Sequence, residues 1–271
     1  MRYLAVIAVL FTLLGCEGSI VRIPEFEAIE SQRVVLLEEM TGVSCPNCPK
    51  GTSEIEAIKQ RYGDQVIPVG IHGFFLSWPT KESEFDFRND FAKQLEMTLA
   101  PGTSKPAALI NRAIPSGGET RVIQSPDLWS GYVADQLRIP PRVSVVMETS
   151  IDVESREMVL RVGVIGLENI NESLKMSVMI LENNIIDAQE DLNDIIEDFH
   201  HNHVLRTMLT TYDGMELSSG LEEGQVVNQE FQYVIPKDEH LWKIEDLEIV
   251  VFVHEAGSSG EVLQAGLVKL L

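Results

Sequence analysis

The residues best suited to covalent chemistry are two cysteines three positions apart, in Cys45-Pro46-Asn47-Cys48. A thiolate is the nucleophile of disulfide exchange, and a cysteine at the start of a helix has its thiolate stabilised by backbone N–H groups and the helix dipole. Cys45 therefore reads as the nucleophile, and Cys48, one turn in and less exposed, as the resolving thiol. Pro46 and Pro49 cost nothing at a helix start and stiffen the loop. The motif does not complete a zinc site, because a second cysteine pair is missing and most histidines lie far along the chain. A disulfide that only braces the chain remains a competing reading.

The elements around the motif explain why it would be held at a helix start. Residues 33–41 (RVVLLEEMT) form a β-branched apolar run ending at Gly42, a buried strand. Beyond the cysteines, Ile55, Ile58 and Tyr62 recur at helical spacing until Gly63-Asp64. Residues 66–71 form a second strand, so the unit is a parallel β-α-β crossover. A helix at 85–97, short strands at 107–111 and 119–123, and a helix opened by Ser125-Pro126 follow. That order predicts a thioredoxin-like α/β domain over 32–139.

In such a domain His72, at the carboxyl end of the second strand, shares an edge with Cys45. It could lower a thiol pKa or shuttle a proton, or simply be packed under the aromatic loop of Phe74, Phe75 and Trp78. Pro106 falls where thioredoxin-like proteins keep a cis-proline beside the dithiol. Pro140-Pro141 ends the domain. From there period-two patterns predict strands at 143–151, 158–167, 174–181, 203–211, 226–235, 247–255 and 262–270, an all-β immunoglobulin-like sandwich over 142–271. An acidic insertion at 183–199 interrupts it.

The chain opens with Met1-Arg2 and an apolar run over 4–14, a secretory leader too short to span a bilayer. Leu13-Leu14-Gly15-Cys16 has the form of a bacterial lipoprotein cleavage site. We therefore expect a signal peptide at 1–15, lipidation at Cys16 and a tether at 16–31. Of the three cysteines, only the vicinal pair then remains free for disulfide chemistry. A net charge of -21, from 42 acidic against 21 basic residues, argues against nucleic acid as a partner and against electrostatic docking on anionic lipid.

His200, His201 and His203 follow the acidic residues Asp187, Glu190, Asp191, Asp194, Glu197 and Asp198. Residues two apart on a strand share a face, so His201 and His203 could present two imidazoles to a transition metal. A solvated acidic loop leading into a strand explains the same residues. No organic cofactor is expected, and the sequence carries neither a Gly-x-Ser-x-Gly elbow nor an HExxH helix.

Several separated motifs together resemble the outer membrane protein 28 related lipoproteins of diderm bacteria. They are the Cys16 lipobox, Glu38-Glu39-Met40-Thr41-Gly42 running into Cys45-Pro46-Asn47-Cys48-Pro49, Ile71-His72, Lys105-Pro106, Ile110-Asn111-Arg112 and the segment His201 to Arg206 (HNHVLR). The resemblance implies an envelope lipoprotein with a thioredoxin-like domain and a β-rich C-terminal domain, and it supplies no reaction. Two functions are therefore carried forward. One is thiol-disulfide exchange on disulfide-bearing envelope proteins by a protein held at the outer membrane through its N-terminal lipid. The other is a surface or periplasmic binding lipoprotein whose disulfide is structural.

Overall fold

The computed structural model describes residues 31–238, 240–257 and 260–271. The expected leader, Cys16 and all of the tether before Ser31 lie outside the described residues. Strand β1 (Val35–Thr41) is buried at every position, its apolar residues lying on both faces with Glu38 and Glu39 between them. Helix α1 (Cys48–Tyr62) returns the chain to β2 (Val66–His72), which runs parallel to β1 with Thr41 opposite His72. Helix α2 (Asp90–Leu99) starts at Asn89, whose side chain accepts the Ala92 N–H. Strand β3 (Ala107–Ile110) lies antiparallel to β1, and helix α3 (Trp129–Leu137) follows.

The remaining strands are β4 (Val143–Asp152), β5 (Glu157–Gly166), β6 (Leu174–Glu182), β7 (Ile185–Glu190), β8 (Ile195–His201), β9 (Val204–Met208), β10 (Met215–Ser218), β11 (Val226–Val234), β12 (Leu247–Glu255) and β13 (Val262–Lys269). They do not close a sheet of their own. One eight-stranded mixed sheet runs β13-β12-β6-β9-β2-β1-β3, with β10 pairing onto β6. Strands β11-β5-β4 form a second sheet, and β7-β8 form a separate hairpin.

Three of the apolar cores lie on the two faces of the large sheet. On one face of the large sheet, Leu36, Ile67 and Val69 join Met179, Val250 and Phe252 beneath Leu95 of α2. The opposite face changes its cover along its length. Helices α1 and α3 pack Ile58, Trp129 and Val133 over Val35 and Leu37. Strands β4 and β5 pack Leu160, Val162 and Val164 over Val178, Ile180 and Val251.

This architecture corrects the expectation of an α/β thioredoxin-like domain followed by an all-β immunoglobulin-like sandwich. The structure is β-rich with several sheets, and three short helices are its α content among the described residues. The β2 edge is continued by β9, where Gly70 pairs with Val204, so segments 32–139 and 142–271 contribute strands to the same sheet. Residues 31–271 accordingly group as one compact unit. Periodicity identified most of the strands, but it carries no information about which edge pairs with which, and an unpaired buried edge must be satisfied. At 119–123 the expected strand reduces to a single bridge between Ala108 and Ile123. The acidic insertion is instead the hairpin β7-β8.

The HNHVLR segment acquires a physical role at the junction. His203 adopts a left-handed conformation (φ 57°) and its carbonyl accepts the Gly70 N–H at 2.8 Å, seating β9 against β2. Arg206 approaches Glu182 at 3.3 Å and stacks over Trp242, holding β9 to β6.

Candidate thiol-disulfide site

Cys45 and Cys48 are joined in a disulfide. The loop between Gly42 and α1 is a pair of tight turns, with Cys45 N–H donating to Gly42 O and Cys48 N–H to Cys45 O. Asn47 is the N-cap residue, so Cys48 and Pro49 occupy the first turn of α1, where proline's missing N–H is tolerated. Gly42 is obligatory for packing, since a Cβ there would lie 2.1 Å from the backbone oxygen of Leu76. We expect Gly42→Ala to cost about 1–3 kcal/mol by forcing that backbone apart, read as a lower urea midpoint; an unchanged midpoint would show the loop to be pliable.

Neither sulfur is open to solvent: Cys45 is 0% exposed and Cys48 1%. The cover is β7. A bulge between Asp187 and Gln189 turns successive residues inward, so that Asp187, Ala188 and Gln189 are all buried rather than alternating. The Gln189 amide donates to Gly42 O at 3.1 Å and Cys45 O at 3.2 Å. The neighbouring Glu190 N–H donates to Val43 O at 2.9 Å. Asp187 accepts the N–H groups of Glu84 and Phe85 on the far side.

Behind the cover lies a cavity of about 150 Å³. It is bounded by α1, by the ends of β1 and β2, and by the hairpin, with Glu39, His72, Gln189 and His201 among its walls. Pro68, Gly70 and His72 of β2 line its floor. Glu39 faces it from beneath the first turn of α1, so close that a Cβ on Gly51 would meet its Oε1 at 2.4 Å and Pro106 at 3.0 Å. Burial pushes the Glu39 carboxyl up to about 8, against the pull of the Lys105 ammonium and a hydrogen bond with Thr41. Its Oε1 and the Nδ1 of His72 are buried without a hydrogen-bond partner.

His72 sits on the dithiol edge of the sheet, opposite Thr41 in register. Burial holds it neutral, well below the usual histidine range, and the nearby His201, Lys105 and Arg206 push the same way. Its charge therefore does not stabilise a thiolate, and its Nδ1 is buried without a partner. Pro106 follows a cis Lys105-Pro106 bond and flanks the first turn of α1. Lys105 is buried, donating to Glu96 at 3.0 Å and Ser77 at 2.8 Å.

His201 and His203 do not share a face. The turn that ends β8 directs His201 into an aromatic cage with His72, Phe87 and Phe199, its pKa lowered to about 4 by burial. His203 turns to Glu248, 3.8 Å away. Among the described residues no group of three or more His, Cys, Asp or Glu side chains has metal-binding geometry.

Glu39 and Gln189 are the residues the sequence reading passed over. Glu39 had a signal, one of two adjacent carboxylates, with Glu38, inside a strand buried at every position. Gln189 had none, since only the bulge in β7 turns it toward the cysteines.

The fold and site define a β-rich protein with one large mixed sheet, a buried vicinal disulfide and a cavity walled in part by Glu39, whose carboxyl burial pushes up to about 8. The family model of outer membrane protein Omp28 matches residues 94–270, and the chain belongs to that family. It is accordingly an envelope protein of outer membrane type. HBP35 of Porphyromonas gingivalis is similar in structure, with a TM-score of 0.67 at 17% identity over 88% of this chain and 76% of that one. Protein AGR_C_4864 from Agrobacterium tumefaciens is similar with a TM-score of 0.54 at 11% identity, over 89% of this chain and 96% of that one. At these identities the likeness concerns the fold alone. No curated protein matches the chain.

Proposed function

We propose that the protein carries out thiol-disulfide exchange with other proteins of the cell envelope, held there by a lipid on Cys16. The observation that carries the reading is Glu39, a buried carboxyl left without a partner at Oε1 and raised to about 8 under the helix turn that begins at Cys48. A disulfide that only braces the chain has no use for such a group, which costs stability where it stands. Exchange does use it. An incoming partner thiolate attacks Cys45 Sγ, the S–S bond breaks with its electron pair moving to Cys48 Sγ, and Cys48 takes up the Glu39 proton. A second partner thiol, giving up its proton to the Glu39 carboxylate, displaces Cys45 in turn, and Cys45 gains a proton from solvent. The partner is left with a disulfide and this chain with a dithiol. Cys45 is the attacked sulfur, Cys48 the leaving one, and His72 and Pro106 flank them.

Equilibration of the chain in glutathione buffers, with alkylation of Cys45 followed against pH, tests this. A potential in the range of about -120 to -270 mV is expected of an exchanging pair, whereas a disulfide stable to below about -300 mV defeats the proposal.

A second reading, a binding protein of the envelope whose disulfide is structural, draws on the complete burial of both sulfurs. It predicts that Cys45→Ser keeps partner binding intact.

A further inference from the structure

We propose that the β7-β8 hairpin is a movable cover whose opening, in equilibrium before the sulfur chemistry, controls access to the Cys45–Cys48 disulfide. The proposal deepens the exchange reading and rests on it for its purpose, but its physical content is separable.

The hairpin pairs with no strand of either larger sheet. A two-stranded ribbon by itself is marginally stable, so its position depends on the few bonds it makes to its surroundings. Its ends are built as pivots. Asn184 enters it at φ 55° and His203 leaves it at φ 57°, both in the left-handed region that non-glycine residues seldom occupy. The two ends are tied across from each other, with Asn184 N–H donating to Asn202 and His203 N–H to Asn183. Near the pivots Ile185 is anchored in an apolar cluster with Val43, Phe87 and Val204.

Beyond Asp187 the hold changes character. Most of β8 is exposed, and the tip meets the dithiol loop through the Gln189 amide and the Glu190 N–H. These are hydrogen bonds to carbonyls that water also satisfies once the tip lifts. Opening at the tip therefore uncovers the disulfide and the cavity together while the pivots and large sheet stay folded, as in other local openings of low free energy. Without such a movement a partner thiolate cannot reach a sulfur that is 0% exposed.

The test is the rate at which dithiothreitol reduces the disulfide in the full chain, compared between wild type, Gln189→Ala and Val253→Ala, the last a cavity-forming change in the distant β12 core. Removing the latch is expected to raise the rate about tenfold at unchanged reduction potential, because two hydrogen bonds to the loop are lost. Val253→Ala should leave the rate near that of wild type. Equal rates in wild type and Gln189→Ala, or equal acceleration in both variants, would overturn the proposal, the latter showing that access requires global unfolding. Amide exchange in the wild type gives a readout independent of any variant's folding. The Glu190 N–H should exchange well before those of β12, and protection equal to β12 counts against a cover. A disulfide that never equilibrates with glutathione would sink the exchange reading yet leave the rate ratio standing, so the two failures are distinguishable.

Discussion

Arg112→Met is expected to lower folding stability by about 3–5 kcal/mol, the cost of leaving a buried carboxylate without its counter-charge. Arg112 holds Glu38 by two parallel bonds of 2.7 and 2.6 Å, and Glu38 is 0% exposed. The guanidinium also lies over the ring of Phe252, 4.9 Å from its centroid, so one side chain links β1 to β12 across the shared core. Water cannot replace it there. The measurement is the urea midpoint at constant slope, made on Arg112→Met, Glu38→Leu and the double variant. The double variant should recover most of the loss, because two apolar side chains need no pairing. If it is no more stable than the sum of the single changes predicts, the two residues are not coupled and the loss belongs to packing.

Glu39→Gln is expected to act in the opposite direction on stability and to slow exchange. The Glu39 carboxyl is raised from 4.5 to about 8 in the folded chain, so folding favours its protonated form. Its contribution is therefore fully present below about pH 4.5, declines as pH rises from there, and is lost through about pH 8. Glutamine cannot ionise, so the variant's stability should show no such decline. At pH 8 and above it should exceed wild type by on the order of 3–5 kcal/mol, at about 1.4 kcal/mol for each pH unit of displacement. Chemical unfolding at several pH values between 4 and 9 measures the difference.

In the proposed exchange, the same variant removes the proton donor for the Cys48 leaving group. Reduction of the disulfide at neutral pH should slow by about tenfold to a hundredfold, and the dependence of the wild-type rate on an ionisation near pH 8 should vanish. Identical rate profiles in the two proteins would leave Glu39 with an electrostatic effect on folding and none on exchange.

Much of the local structure is written along the chain. Val35 to Thr41 is buried on both sides and reads as a strand because Val35, Leu36, Leu37 and Met40 place apolar side chains on both faces, and Gly42 ends it where no Cβ fits. The cysteines fall at a helix start because Pro46 and Pro49 are tolerated there and Ile55 and Ile58 repeat at helical spacing behind them. His72 reaches the dithiol edge because a parallel crossover brings the carboxyl ends of β1 and β2 together. Membership of the Omp28 family was likewise legible, in motifs spread along the whole chain.

What tertiary structure alone decided is how these pieces share surfaces. Nothing in the pattern of residues 204–208 says that β9 will take the open edge of β2, yet that pairing turns two expected domains into one sheet. The acidic stretch read as an insertion because its apolar residues, Ile185, Ile186, Ile195 and Ile196 among them, fall in adjacent pairs and do not alternate with its charges. It became a hairpin because a bulge turned Gln189 onto the carbonyls of the dithiol loop. His201 and His203 were separated by a left-handed turn that period-two counting cannot register. Each is a long-range relation, made by hydrogen bonds and burial between segments distant in sequence. Local propensity and periodicity determine the elements, whereas edge pairing and burial between them decided the sheet, the cover and the state of the groups beneath it.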